Sequence, residues 1–315
     1  MVPSFIKEIG VIGAGLMGHG IAQVFASNGY RVILVDISQE QLNKAMEAIR
    51  DNLQYLKNCG LGPKESIEEV LSRIEPTTSW EPLGGADFVV ECVFEDLRLK
   101  QEVFKKLDQL CGPEAIFASN TSVISISQIA EKAKRKERIL GTHFWNPPYL
   151  IPLVEVVKAR DTSDEVFEFT YEFLRKIGKK PVKCLKDVPG FIANRLQHAL
   201  WREAVSLVEK GIADPYTVDE AIKYSFGLRL PVLGPLENAD MVGLDLILSI
   251  HDYLFPHLES SKKASSLLRR KVESKELGFK TQKGFYDWTE DQMELKRRKL
   301  MEHLVKWHLE QAKEE

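Results

Sequence analysis

The chain has 315 residues, 44% of them hydrophobic and 28% charged, with a formal net charge of −3. These values fit a globular protein, exclude disordered and fibrous architectures, and at this length point to two domains. The slight acidic excess excludes a coat for nucleic acid or for an anionic membrane, so an anionic ligand must be held by a local site.

In chain order, Lys7 to Ile12 reads as a short strand that meets the glycine turn Gly13-Ala14-Gly15-Leu16-Met17-Gly18. A helix follows, with Ile21, Ala22, Val24 and Phe25 at helical spacing, and Asn28-Gly29 stops it. Arg31 to Asp36 is a second strand, which completes a βαβ unit. Gln39 to Gly60 and Ser66 to Ile74 read as helices, the latter opened by a capping box of Ser66 and Glu69. Ala86 to Val93, Ala115 to Ser119, Ile139 to Phe144 and Leu150 to Val157 are further strands. Helical patterns lie at Leu97 to Leu110, Ile124 to Lys134 and Asp164 to Ile177. The alternation predicts an α/β fold, a mainly parallel sheet with helices on both faces. After Lys180 to Cys184 the pattern turns helical. One helix spans Pro189 to Lys210, Thr217 with Glu220 opens another, and Thr289 with Gln292 opens the last. The domain boundary is placed at Lys186, giving domains 1–186 and 187–315.

Cys59, Cys92, Cys111 and Cys184 lie far apart with no C-x-x-C pair. That excludes a zinc ribbon and a disulfide scaffold and fits reduced thiols in the cytoplasm; no metal is expected. No apolar run approaches the roughly 18 residues of a bilayer span. The apolar stretch from Ile9 to Ala26 is broken by glycines and His19, so no signal peptide is expected either.

G-x-G-x-x-G alone is a weak signal. Here it follows a strand and opens a helix, and Asp36 ends the next strand. Gly13 permits the tight turn, Gly15 lets backbone approach a pyrophosphate at the helix N-terminus, and Gly18 allows close helix–strand packing. Asp36 would accept ribose hydroxyls and repel a 2′-phosphate, so NAD is favoured over NADP. FAD uses a related fingerprint and stays open at this point. A protein-kinase loop is excluded, because no HRD or DFG follows.

Chemistry in open α/β sheets gathers at the carboxyl ends of strands. Asn120 and Ser122 follow one strand, His143 ends another, Glu155 interrupts an apolar strand, and Asn194 opens the long helix. Singly, each has a plainer reading: a core histidine, an edge carboxylate facing water, a helix cap, a turn residue. Together they suggest a His143–Glu155 dyad in which the carboxylate fixes the imidazole tautomer and stabilises the imidazolium. Oxidation of a secondary alcohol needs such a base on the hydroxyl and a hydride acceptor at the carbon.

The motifs IGVIGAGLMGHGIAQVFA, ADFVVECVFEDLRLKQEVF, FASNTS, GTHFWNPP, PLVEVV, DVPGFIANRLQ, VGLD and GFKTQKGFYDW run from Ile6 to Trp288. Through them the chain resembles the L-3-hydroxyacyl-CoA dehydrogenase family. The resemblance implies a Rossmann-like domain, a helical domain that forms a homodimer, NAD as cofactor and a place in fatty acid metabolism. By motif match His143 takes the place of the catalytic histidine and Glu155 that of its partner. Ser122 and Asn194 match contacts to the substrate oxygen. The turn with Leu16 and Met17, Asp36, Glu95, Lys100, Asn120, Ser122, Asn146 and Lys280 match cofactor positions. Lys57 and Lys64 are the candidates for CoA phosphates.

The sequence also departs from the family's pattern. Trp145, Pro148 and Ile151-Pro152 replace the residues usual in members acting on CoA thioesters. NPPYLIPLVEVV resembles instead the relatives that oxidise free hydroxy acids or other non-CoA alcohols, of the gulonate (λ-crystallin) and carnitine dehydrogenase type. Between Arg50 and Glu75 four basic residues face five acidic ones, which is no evident phosphate patch. The expected activity is NAD-dependent oxidation of an L-3-hydroxyacyl-CoA. The alternatives are a free hydroxy acid as substrate, or a crystallin-like structural protein derived from such an enzyme. The expected partners are a small molecule and a second copy, not nucleic acid or membrane.

Overall fold

The computed structural model describes residues 6–314. By compactness one unit runs to Asn194 and resumes at Leu300; the other is Arg195–Lys299. The first unit thus passes beyond the boundary read at Lys186 and takes back the last helix from Leu300 onward.

In chain order the first unit holds β1 (Glu8–Ile12), α1 (Gly18–Ser27), β2 (Arg31–Val35), α2 (Gln39–Asn58), α3 (Ile67–Ser72) and β3 (Ile74–Thr77). It continues with β4 (Phe88–Glu91), α4 (Leu97–Leu110), β5 (Ile116–Ser119), α5 (Ile126–Ile129), β6 (Ile139–Phe144), β7 (Leu153–Val157), α6 (Asp164–Lys176) and β8 (Lys180–Cys184). The strands form one sheet in the order β3-β2-β1-β4-β5-β6-β7-β8. Every pair is parallel except β6 with β7. The order reverses between β1 and β4, the crevice where open α/β sheets bind ligands.

Both faces of the sheet are apolar because successive side chains point to opposite sides. Val32 and Leu34 face one core with Ile21 and Phe25 of α1, Leu42 and Ile49 of α2, and Phe173 of α6. Ile33 and Val35 face the other, with Val103, Phe104 and Leu107 of α4. Two strands lay outside the sequence reading, β3 (IEPT) and β8 (KPVKC). Each contains a proline, and each is an edge strand, where a missing N–H breaks no inner ladder. The segment Ile74 therefore belongs to a strand, not to the preceding helix. Ile124 to Lys134 is likewise shorter than read: four residues of α5, then a tight turn at Ala130–Lys132.

The loop Pro147–Pro152 joins β6 to β7. Lys179, buried before β8, donates to the Pro148 carbonyl and, at 3.2 Å, to that of Ile151. Leu150 of this loop packs with Leu56 of α2 and with Val305, and its carbonyl accepts from His308 Nε2.

The helix α7 (Ala193–Glu209) leaves the first unit at Asn194. The second unit continues with α8 (Pro215–Lys223), α9 (Pro235–Val242), α10 (Leu244–Leu254), α11 (Ser266–Glu273) and the start of α12 (Glu290–Glu314). Asp214, not Thr217, caps α8, and its carboxylate accepts the Thr217 N–H at 2.7 Å. Thr289 and Gln292 cap α12 reciprocally, as the sequence suggests.

Burial pushes the Lys179 ammonium down from 10.5 to about 8. Between about pH 8 and 10 the unfolded chain keeps a proton on Lys179 that the folded chain has released, so the contribution of this group to stability rises with pH in that window. The ceiling is roughly 3 kcal/mol. The buried thiols Cys92, Cys111 and Cys184, pushed up by burial, act in the opposite direction there, so the test is a difference. In denaturant unfolding, the stability of wild type minus that of Lys179→Met should rise across the window; a difference that does not change with pH would contradict the argument.

Candidate active site

The glycine turn lies between β1 and α1, at the reversal of strand order. A Cβ on Gly18 would stand 1.7 Å from the Gly13 carbonyl oxygen, so only glycine lets the helix start so close to the strand. Next to Gly15 there is open space, with no atom within 4 Å of a Cβ placed there. Leu16 is exposed, and Met17 occupies the N-cap of α1 without a capping hydrogen bond or an acid in the first turn. Ser38, Asp96 and Ser163 do cap α2, α4 and α6. No side chain caps the start of α1, where the His19 N–H bonds the Gly15 carbonyl at 3.2 Å, and this uncapped end suits an anion. Asp36 accepts the Ala14 N–H at 2.8 Å and the Ser38 N–H at 3.1 Å, which pins its carboxylate beside the turn. These residues fit NAD: room and donors for a pyrophosphate, and an acceptor for ribose hydroxyls.

The antiparallel register of β6 and β7 sets His143 directly opposite Glu155. His143 Nδ1 donates to Glu155 Oε2 at 2.7 Å, and both side chains are buried. A carboxylate only accepts, so the proton sits on Nδ1 and Nε2 is left as a base. Glu155 Oε1 accepts the Ile192 and Ala193 N–H groups at 2.8 and 2.9 Å, at the start of α7. Trp145 Nε1 donates to Oε2 at 3.4 Å. Burial raises the Glu155 carboxyl; the bonds from His143, Ala193 and Ile192 outweigh it and hold it below the ordinary carboxylate range. The imidazole lies between the rings of Trp145 and Phe191, 5.4 and 5.8 Å away centre to centre. Phe191 has φ of 49°, a left-handed conformation that costs a side chain, and its buried ring holds it there.

Ser122 and Asn194 meet: Asn194 Nδ2 donates to the Ser122 carbonyl at 3.1 Å. The Ser122 N–H donates to Glu95 Oε1 at 2.7 Å. Asn120 spends its side-chain oxygen on the Phe144 N–H at 2.8 Å, tying β5 to β6. Lys100 is buried, with Glu91, Glu95 and the Val93 carbonyl around its ammonium. Asn146 is exposed at the end of β6. Lys57 and Lys64 are exposed near the α2–α3 connection, and Lys280 is exposed in the second unit.

Residues 8–188 match the family model described as 3-hydroxyacyl-CoA dehydrogenase, NAD binding domain. Residues 190–288 match its C-terminal domain. The chain belongs to the 3-hydroxyacyl-CoA dehydrogenase family. The chain is 38% identical to the 3-hydroxybutyryl-CoA dehydrogenase of Clostridioides difficile over 89% of its length and 99% of that protein. Among solved structures it is similar to an NAD+ dependent dismutase, 5-formyl-3-hydroxy-2-methylpyridine 4-carboxylic acid 5-dehydrogenase. The TM-score is 0.90 at 31% identity, covering 96% of this chain and 98% of that one. The (S)-3-hydroxybutyryl-CoA dehydrogenase of Ralstonia eutropha gives a TM-score of 0.77 at 34% identity, covering 91% and 100%. This member of the hydroxyacyl-CoA dehydrogenase family is thus an NAD-dependent oxidoreductase by descent, and FAD falls away.

Glu91 and the Trp145 N–H escaped the sequence reading. Glu91 ends the apolar strand FVVE and carries the same signal, a carboxylate inside a buried strand, that singled out Glu155. Trp145 reads as a ring, and only the structure aims its N–H.

Asp36 should set the preference of this family member for NAD, since a carboxylate beside a 2′-phosphate is a like-charge contact. Asp36→Ala should narrow the NAD to NADP ratio in kcat/KM. Equal turnover of NAD and NADP by the wild type would reject the role.

Proposed function

We propose that this protein oxidises the 3-hydroxyl of an L-3-hydroxyacyl-CoA to the ketone, or runs the reverse reduction, with His143 as acid–base. The observation that carries this reading is the buried His143–Glu155 pair, with the uncommitted Nε2 as the base. Bound NAD supplies the acceptor for the hydride from the carbinol carbon. His143 Nε2 takes the hydroxyl proton as the carbonyl forms, and Glu155 offsets the charge that develops on the ring. The Ser122 hydroxyl and Asn194 amide are suited to hold the substrate oxygen, and Glu95 and Asn146 to contact the cofactor.

A positioned general base is worth about 10²–10⁴ in rate. His143→Gln should lose that much kcat while NAD still binds, and Glu155→Gln should lose less. Near wild-type kcat in His143→Gln would reject the assignment. Retained turnover by the wild type also separates an enzyme from a crystallin-like descendant.

The CoA handle is supported by which cations remain unspent. Arg50 is paired with Glu68, and Arg73 with Glu65 and the Ala26 carbonyl. Lys57 and Lys64 have no such partner among the described residues, so both are available to phosphates. A second reading, a free hydroxy acid or other substrate without CoA, is favoured by the higher TM-score with the dehydrogenase of a formyl pyridine carboxylic acid. If the first holds, acetoacetyl-CoA should exceed acetoacetate, gulonate and carnitine by about 10²-fold or more in kcat/KM, because remote binding energy positions the acyl end. Lys57→Glu with Lys64→Glu should then raise KM for the thioester. Equal activity on thioester and free acid would favour the second.

The protein is read as a homodimer joined through the helical unit. The helices α9 and α10 bury none of their residues, and Leu236, Leu244 and Leu248 are 81%, 61% and 61% exposed. So large an apolar surface marks an association site, and a two-fold pair is the commonest closed solution. Light scattering should give twice the chain mass at micromolar concentration. No helix among the described residues is long and apolar enough to cross a membrane. The four cysteines are free thiols, in keeping with the cytoplasm.

A further inference from the structure

A second group of buried charges lies at the carboxyl ends of β4 and β5, outside the His143–Glu155 pair. Lys100 Nζ stands 2.7 Å from Glu91 Oε1 and 3.1 Å from Glu95 Oε2, and donates to the Val93 carbonyl at 3.2 Å. Glu91 also accepts the Val93 N–H at 2.7 Å and the Ser119 hydroxyl at 2.6 Å. Glu95 accepts the Thr121 hydroxyl at 2.6 Å and the Ser122 N–H at 2.7 Å. Glu91 and Lys100 are buried, whereas 37% of the Glu95 side chain is open.

The charges do not cancel. Burial holds the Glu91 carboxyl above its ordinary range, offset only in part by Lys100, Ser119 and the Val93 N–H; the Lys100 ammonium and the Val93 N–H, each 2.7 Å from Oε1, can only donate and keep it ionised. Every neighbour of its oxygens is a donor, the surroundings of an ionised carboxylate. For Glu95, burial is outweighed by Thr121, Lys100 and the Ser122 N–H, which hold it below the ordinary range. Two carboxylates thus share one ammonium, and the cluster carries one net negative charge. Lys100 with Glu95 alone would be neutral. A second buried carboxylate adds desolvation cost, so bare pairing gives no reason for it.

Its place suggests the reason. A Cβ on Gly13 would stand 2.7 Å from the carbonyl oxygen of Cys92, the residue after Glu91, so the cluster adjoins the glycine turn. On its other flank Glu95 holds Ser122, which Asn194 also touches. A dinucleotide with its phosphates on the turn and its reacting ring at His143 has to cross the ends of β4 and β5. The oxidised nicotinamide carries a positive charge and the reduced ring none.

We propose that Glu91, by engaging Lys100, leaves Glu95 with an uncompensated negative charge, and that this charge makes the site prefer the oxidised over the reduced cofactor relative to a neutral cluster. The inference rests on NAD being the ligand of this turn. Glu91 is a positioning and charge-setting residue here, since its side chain is fully buried behind Lys100 and Ser119.

The test is a ratio of binding constants, without turnover. The Kd of NAD+ and of NADH are measured separately by calorimetry on the full chain. A unit charge about 10 Å away in a partly wet site changes a binding constant by roughly 2- to 15-fold. Glu91→Gln should raise the ratio Kd(NAD+)/Kd(NADH) by a factor in that range. Glu91→Gln with Lys100→Met restores one net negative charge and should return the ratio to within about twofold of wild type. Ser119→Ala removes a hydrogen bond but no charge, and should leave the ratio unchanged. Should Glu91→Gln fail to fold, Glu95→Gln also neutralises the cluster and should raise the ratio. The proposal is overturned if both constants move together in Glu91→Gln, if the double variant keeps the raised ratio, or if Ser119→Ala shifts it equally. Wild-type protein that binds neither form would sink the NAD reading itself, a result distinct from an unmoved ratio.

Discussion

The first unit depends on one buried anion. Glu155 gathers four donors on its two oxygens: the His143 imidazole and Trp145 indole on one, the Ile192 and Ala193 backbone on the other. A carboxylate this deep would be costly unless so paired. Its bonds join three things that the chain makes separately, the base on β6, the carboxylate on β7 and the first turn of α7. Asn194 reaches Ser122 from that same turn. The antiparallel pairing is what makes this possible, because a shift of one residue in register would turn His143 and Glu155 to opposite faces.

Much of this was legible beforehand, for a physical reason. Inner strands covered on both faces must be apolar throughout, so β1, β2, β4, β5 and β6 stand out as runs of Val, Ile and Phe. The edges are under no such demand. Pro76 and Pro181 hide β3 and β8 from a reading that treats proline as a strand breaker. Caps were legible where both partners are local, as at Thr289 and Gln292, and misread where an earlier residue competes, as Asp214 does with Thr217.

The site follows the same division. His143, Glu155, Ser122 and Asn194 could be picked out because each is a polar residue inside an apolar strand, just beyond its end, or at the start of a helix. The Glu91–Lys100 pair could not, because its partners are separated by the loop between β4 and α4, and only folding shows which way the lysine turns. Trp145 is a similar case: the sequence marks it as a departure in the family motif, while its distance to Glu155 makes it part of the carboxylate's surroundings.

The return of the chain to the first unit at Leu300 has a consequence for synthesis. The helical unit is inserted between the sheet and the segment that covers Leu56 and Leu150. The Rossmann-like sheet can form as it leaves the ribosome, since its strands are complete by Cys184. Its apolar patch at Leu56 stays uncovered until Val305 has also emerged, after the whole second unit. At about 5–20 residues per second that interval lasts roughly 6 to 24 seconds. During it the nascent sheet presents a sticky surface that the finished protein does not, and a chaperone has its best opportunity there rather than on the completed fold.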